Sequence, residues 1–179
     1  MKFFTIIKTV LLWIWQLPQN FVGACILLVN LKNRKKGHFI VYYDKNNVLH
    51  KGFIHNIRTL DLHSDIITVV TKISMYTVKH LCDSGISLGS RIIIDSDLRL
   101  SENTVRHEYG HQRQSLYLGW LYLIIIGIPS VCGNIINRTL HKKWSAKKRV
   151  RWYYSQPWEK WADSLGEVSK RFWNIWEVK

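Results

Sequence analysis

Two long apolar blocks constrain this chain more than any other feature of its sequence. They cover Phe3–Asn30 and Leu116–Ile136, and each is followed by a cluster of basic residues, within residues 32–36 and 141–151. Both clusters contribute to a net charge of +14. Basic clusters directly after apolar blocks are typical of the cytoplasmic surface of a bilayer, where anionic headgroups attract them. The sequence therefore predicts a membrane-associated protein that contacts lipid.

The first block predicts two short apolar helices that break at Leu17–Asn20, because a helix normally ends before a proline such as Pro18. Each half is shorter than the roughly 20 apolar residues that cross a bilayer alone, so the block could span with a kink or re-enter. A signal peptide cleaved near Cys25 is an alternative, but the residues after Cys25 are again apolar. The three widely spaced cysteines predict buried free thiols rather than a disulfide framework: Cys25, Cys82 and Cys132.

The residue pattern over 38–100 predicts a small β-sheet. Phe39–Tyr43 and Val48–His50 read as strands around an Asp/Asn turn at residues 44–47. Ile66–Val70 is a further β-branched strand, and Ile86–Asp95 is a strand pair or one strand bent at Gly89. With the helices described next, these strands predict an α+β fold. We expect residues 1–31 to form membrane-associated helices and residues 32–179 to form one domain.

A helix from about Glu102 to Leu118, with Ser101 as its N-cap, carries the run His107-Glu108-Tyr109-Gly110-His111. Histidines four residues apart lie on one face of a helix, one turn from each other, as two zinc ligands must. Glu108 follows the first histidine and is placed to act as general base on a zinc-bound water. The sequence therefore predicts that His107 and His111 bind Zn²⁺.

A third zinc ligand is expected on a final helix, Pro157–Val178, where Glu159 and Asp163 are also four residues apart. Glu159 is the candidate ligand, with Glu167 as the fallback, and Asp163 is the candidate acceptor for the second ring N–H of a ligand histidine. An ordinary solvated helix face is the alternative. Two other side chains are candidates for contact with the transition state: Tyr154 and His141. The remaining histidines have no ligand spacing and are interpreted as surface or turn residues: His38, His50, His55, His63 and His80.

The His-Glu-x-Gly-His run followed by Glu-x-x-Ala-Asp-x-Leu-Gly resembles the gluzincin zinc metallopeptidases over about residues 86–166. It is closest to their membrane-embedded group, which contains the CAAX prenyl protease and the bacterial heat-shock protease HtpX. The resemblance implies a minimal zincin-like domain, with a small antiparallel or mixed sheet, an active-site helix and a Glu-bearing helix. It implies that zinc is bound by His107, His111 and Glu159, that Glu108 is the base, and that Asp163 supports a ligand histidine. It also implies that an edge strand before the active-site helix binds extended substrate, and we expect that strand to be Ile86–Asp95, with contacts from Ile92, Ile93 and Ile94.

The predicted ligands restrict the path of the second apolar block. His111 precedes the block and Glu159 follows it, yet both must lie within about 2 Å of one zinc ion. A single crossing of the bilayer would separate them by roughly 30 Å. We therefore expect a helical hairpin over about residues 116–137 that turns at Gly127–Ser130, unless the block is the buried core of a soluble domain.

The sequence as a whole predicts a membrane-associated zinc metalloendopeptidase with its active site on the cytoplasmic face and a peptide or protein substrate. A non-catalytic zincin-like scaffold and a basic protein that binds nucleic acid or anionic lipid are the alternatives. Nucleic acid is not expected as a partner, because the aromatic residues lie mostly beside apolar blocks, as in a membrane-interface belt. A site-2 type intramembrane protease is disfavoured, because the second motif is Glu-x-x-Ala-Asp rather than a Leu-Asp-Gly pattern.

Overall fold

The computed structural model describes residues 2–44, 49–54, 66–79, 85–95 and 102–168. Several predicted features lie outside the described residues, or partly so: the turn at residues 44–47, the N-cap at Ser101, Cys82, and three histidines, His55, His63 and His80. Cys25 and Cys132 are free thiols, as predicted, but both are exposed rather than buried.

Five strands form one mixed sheet in the order β2-β1-β3-β5-β4. The strands are β1 (Lys35–Asp44), β2 (Leu49–Ile54), β3 (Ile66–Val78), β4 (Gly85–Leu88) and β5 (Arg91–Asp95). All neighbours pair antiparallel except β3 and β5, which are parallel. The predicted α+β class with a small mixed sheet is confirmed, although β3 continues well past the predicted end at Val70.

The expected substrate strand proves to be two strands, and the predicted contact residues lie on the wrong one. Gly89 adopts a φ of +61° in the tight turn that joins β4 to β5, a conformation that favours glycine. Strand β5 pairs with β3 on one side and β4 on the other, and Ile92, Ile93 and Ile94 have no exposed surface. They are core residues, and β4 is the strand at this edge.

The three isoleucines of β5 pack into apolar layers on both faces of the sheet. The strand is therefore apolar throughout, without alternation. Ile92 and Ile94 belong to one buried cluster with Val105 of the histidine helix. Ile93 belongs to a second cluster with Leu27 of the N-terminal block. Both faces of this part of the sheet are therefore covered by helices.

The N-terminal block folds as two helices, α1 (Lys2–Trp15) and α2 (Leu17–Val29), as predicted. The break lies at Gln16, one residue before the predicted stretch, because Pro18 fits in the first turn of α2, where a missing N–H costs nothing. Gln16 and Gln19 both donate side-chain hydrogen bonds to the Ser115 hydroxyl, at 2.9 and 3.0 Å. The polar residues that interrupt the apolar block thus attach it to the histidine helix.

Helix α3 (Glu102–Leu118) has the predicted bounds. It ends at Gly119, whose φ of +53° redirects the chain. A 3₁₀ turn (Gly119–Leu121) and a π-helical segment (Leu123–Gly127) lead into α4 (Ile128–Thr139).

The predicted turn at Gly127–Ser130 is wrong. Pro129 lies in the first turn of α4, where proline is tolerated. The chain instead bends by 119° between residues 103–121 and 123–139. The N-terminal helices are bent by 85°. No single described helix is long and apolar enough to cross a bilayer, whereas each of these bent pairs meets that requirement by length and composition.

Two short helices complete the described chain. Helix α5 (Ala146–Tyr154) lies in the basic stretch, where no helix was predicted, and its N-cap Ser145 accepts a hydrogen bond from the Lys148 N–H. Helix α6 (Pro157–Leu165) is shorter than predicted and is followed by Glu167 with a φ of 55°. The predicted continuation to Val178 is therefore interrupted, and residues 169–178 lie outside the described residues.

Helices α3 and α6 approach closely at Gly110. A Cβ atom at this position would overlap the Ala162 carbonyl group. The overlap involves backbone, which cannot rotate away as a flexible side chain can. The glycine of the histidine run is therefore required by packing, and it sets the distance between the two helices.

We expect Gly110→Ala to lower the free energy of unfolding by about 1–3 kcal/mol through overpacking. Gly133→Ala on α4 is the matched control, because its new methyl group would meet only ordinary contacts at 3.7 Å or more. The control should be neutral or slightly stabilising, since alanine favours a helix by about 1 kcal/mol. Urea unfolding of both variants provides the measurement, and equal stabilities would contradict this account.

Candidate metal centre

His107 and His111 lie on adjacent turns of α3, and their ring centroids are 4.7 Å apart. Each side chain is almost fully buried, with 6% of the residue exposed. Their four-residue spacing places both rings on the same face of the helix, toward α6.

Glu159 of α6 meets both rings and has no exposed surface. Its Oε2 atom is 3.0 Å from His107 Nε2 and 3.2 Å from His111 Nε2. Ligands held about 2.0–2.1 Å from a tetrahedral ion are themselves about 3.3 Å apart, so the observed separations are close to the edges of such a tetrahedron. His107, His111 and Glu159 form a buried group that could hold a metal ion.

The other ring nitrogen of each histidine is also engaged. His107 Nδ1 lies 2.7 Å from Asp163 Oδ1, and His111 Nδ1 lies 2.7 Å from Gln114 Oε1. Both acceptors favour a proton on Nδ1, so Nε2, which faces Glu159, is the nitrogen of each ring that would bind a metal. Gln114 also donates to the Trp158 carbonyl at 2.8 Å, so it joins α3 to α6 beside the site.

Glu159 is oriented by a hydroxyl group from α4. Ser130 Oγ donates to Glu159 Oε1 at 2.8 Å and lies 2.8 Å from the Tyr153 hydroxyl. With Oε1 occupied in this way, Oε2 faces the two imidazoles. Sequence reasoning did not identify Ser130 or Gln114 as site residues, because neither lies in a recognisable spacing and Ser130 belongs to an apolar block.

Burial is the largest single influence on the pKa values of Glu159 and His107, but hydrogen bonds and neighbouring charges together oppose it. Burial alone would raise the pKa of Glu159, but the hydrogen bonds and charges of His107 and His111 together outweigh it and hold that pKa below its usual range. Burial lowers the pKa of His107, but hydrogen bonds to Asp163 and Glu159 outweigh it and raise that pKa to about 10. Without a metal, His107 therefore carries a proton that metal binding must displace.

Glu108 stands apart from this network. It is 5% exposed, and its Oε2 atom has no hydrogen-bond partner among the described residues. Burial raises the pKa of Glu108, although the nearby imidazoles act in the opposite direction. A carboxyl group with a raised pKa binds a proton more readily than an ordinary glutamate, which favours a role as general base.

Of the remaining predicted residues, one lies at the site and two do not. The Tyr154 ring lies 5.0 Å from the His107 ring. His141 instead stacks on Trp144 at 3.7 Å and meets Trp152 edge-on, without a contact to the ligand group among the described residues. Glu167, the fallback ligand, is a surface residue with 78% of its side chain exposed, 3.7 Å from Arg106.

Comparison with known proteins yields no match to a family model, a curated protein or a solved structure.

Replacing Ser130 tests whether it orients Glu159. We expect Ser130→Ala to weaken zinc affinity by about 10- to 100-fold, the usual effect of removing an outer partner of a metal ligand. Ser164→Ala is the matched control, since Ser164 is exposed on the same helix as Glu159. Competition with a fluorescent chelator measures both affinities. Equal affinities in the two variants would show that Glu159 needs no support from Ser130.

Proposed function

We propose that this chain is a membrane-associated, zinc-dependent metalloendopeptidase. The observation that supports it best is the buried His107, His111 and Glu159 group with an unpaired carboxylate oxygen of Glu108 beside it. Two histidines and a carboxylate, with one open position, are the ligand set of a catalytic zinc site. The proposal is consistent with the resemblance to gluzincins that the two motifs carry.

The chemistry divides between the metal and the chain. A bound zinc ion would polarise the scissile carbonyl and lower the pKa of a water molecule. Glu108 accepts the proton of the attacking water at its free Oε2 and delivers it to the leaving amine. Asp163, Gln114 and Ser130 hold the ligands in place. Tyr154, whose ring lies 5.0 Å from the His107 ring, is the candidate donor of a hydrogen bond to the developing oxyanion.

Strand β4 is the best candidate for binding an extended substrate. It lies at the edge of the sheet formed by the described strands, and α3 packs beside it. A Cβ atom on Gly85 would lie 2.6 Å from Glu108 Oε1, so the strand begins next to the proposed base. A peptide paired with β4 would carry its scissile bond past Glu108.

Exposed apolar side chains support membrane association. Monomeric soluble proteins rarely expose large apolar patches, yet this chain exposes many large apolar residues of both blocks, among them Phe4 at 77% and Ile124 at 64%. The basic residues around α5 would attract anionic headgroups and so favour the cytoplasmic leaflet. Zinc bound to a non-catalytic scaffold is the rival proposal, but a scaffold does not require the buried, unpaired Glu108.

Paired substitutions separate metal binding from catalysis. We expect Glu108→Gln to retain zinc and lose peptide hydrolysis by about 10²- to 10⁴-fold, the usual effect of removing a general base. Glu159→Ala should lose zinc affinity and hydrolysis together. Glu167→Gln, at an exposed carboxylate outside the site, is the matched control and should change neither.

Metal analysis and hydrolysis of a peptide library provide the measurements. Purified wild-type protein that binds no zinc at neutral pH would contradict the proposal. Full activity in Glu108→Gln would contradict the role of Glu108, and zinc binding without hydrolysis would favour the scaffold.

Flotation with lipid vesicles tests the membrane association. We expect the protein to bind both neutral and phosphatidylserine-containing vesicles, with tighter binding to the anionic ones, and the added affinity should fall as salt rises. Lys147→Glu with Lys148→Glu should weaken the anionic preference while leaving binding to neutral vesicles, because the apolar blocks are unchanged. Failure of the wild type to float with either vesicle would contradict membrane association.

A further inference from the structure

Helix α2 covers the end of edge strand β4 that lies farthest from Glu108. Asn20 Oδ1 accepts hydrogen bonds from the Ser90 N–H and hydroxyl, both at 3.0 Å, in the turn that follows β4. A Cβ atom on Gly23 would lie 3.2 Å from Leu88 Cβ. The last residue of β4 therefore lies against α2.

One residue earlier, a tyrosine contacts the edge of β4 that faces away from β5. The Tyr122 hydroxyl donates to the Ser87 carbonyl at 3.0 Å, and Tyr122 is only 3% exposed. Alternate residues of an antiparallel strand turn their backbone groups away from the partner strand. Because the Ser87 carbonyl meets Tyr122 rather than β5, Ser87 and Gly85 are the residues whose backbone groups face outward.

The distance available to a substrate follows from this arrangement. Gly85 lies beside Glu108, and Tyr122 holds the outward carbonyl of Ser87. Two residues of a strand span about 7 Å. A peptide that pairs with β4 beside the base therefore meets Tyr122 after about two residues.

We propose that Tyr122 ends the substrate groove at Ser87, so that only about two substrate residues can pair with β4 on that side of the scissile bond. The inference rests on the proposed peptidase function and makes Tyr122 a specificity-determining residue. On that side, an extended substrate therefore needs only about two residues paired with β4. Longer extensions on that side must leave the strand and gain no further backbone hydrogen bonds.

A peptide ladder tests the inference with the zinc-loaded, full-length protein. One scissile sequence is extended by one to five residues on each side in turn, and kcat/KM is measured for each peptide. For the wild type, we expect kcat/KM to rise up to about the second residue on one side and then to stop rising or fall. A continued rise to the fifth residue on both sides would overturn the proposal.

Substitution of Tyr122 provides the second arm. The quantity compared is the ratio of kcat/KM for four residues to that for two residues on the restricted side, which does not depend on the folded fraction of enzyme. We expect Tyr122→Phe to raise this ratio by about 3- to 10-fold, as one freed backbone carbonyl becomes available to substrate. Tyr122→Leu, which also removes the bulk of the ring, should raise it at least as much. Tyr117→Phe, at a 57% exposed tyrosine of α3, is the matched control and should leave the ratio unchanged.

The outcomes distinguish the two proposals. An unchanged ratio in both Tyr122 variants, with an active wild type, would assign Tyr122 a purely structural role and overturn the inference alone. Failure of the zinc-loaded wild type to cleave any peptide of the ladder or the library would instead contradict the peptidase function.

Discussion

The contact between one buried carboxylate and two imidazoles is the interaction on which the rest of this structure depends. Glu159 has no exposed surface, and a charge in such a place is tolerated only when it is paired and hydrogen-bonded. His107 and His111 supply the pairing at 3.0 and 3.2 Å, and Ser130 supplies a further hydrogen bond. These partners come from α3 and α4, so the Glu159 carboxylate of α6 joins three helices through its hydrogen bonds. The close approach of α3 and α6 at Gly110 brings the histidines and Glu159 within contact distance.

The same requirement explains the path of the second apolar block. The chain leaves the histidine helix, must place Ser130 beside Glu159, and must return Glu159 to the histidines. The bend at residues 119–122 meets this need in one step, because the φ of +53° at Gly119 turns the chain immediately after the helix ends. A turn at Gly127–Ser130 would have placed Ser130 in the bend itself. Residues 128–139 instead form a regular helix that holds the Ser130 hydroxyl in a defined position.

The sequence was sufficient to predict the parts of the site that follow from spacing along one helix. The histidine helix has its predicted bounds, and His107, His111 and Glu159 come together as the two four-residue spacings required. Asp163 lies 2.7 Å from His107, as a second-sphere acceptor should. What could not be predicted depends on contacts between distant segments. Strand β5 lies inside the sheet because it, rather than β4, pairs with β3. The residues Ile92–Ile94 do not by themselves specify that pairing. Ser130 and Tyr122 lie in an apolar block whose composition predicts burial but does not identify the partner.

The polar residues at the break of the N-terminal helices have a consequence for the order of folding. Gln16 and Gln19 are hydrogen-bonded to Ser115, a residue about a hundred positions later in the chain. During synthesis at roughly 5–20 residues per second, the helix pair therefore waits several seconds before its partner emerges. Contacts of such long sequence separation slow folding, because the intervening chain must be ordered first. Throughout that interval the apolar side chains of the helix pair lack the contacts that α3 later supplies, and under the proposed membrane association lipid would supply them. Under that proposal, the helix pair would contact lipid before the site assembles, and His107, His111 and Glu159 would come together on a chain already held at the membrane surface.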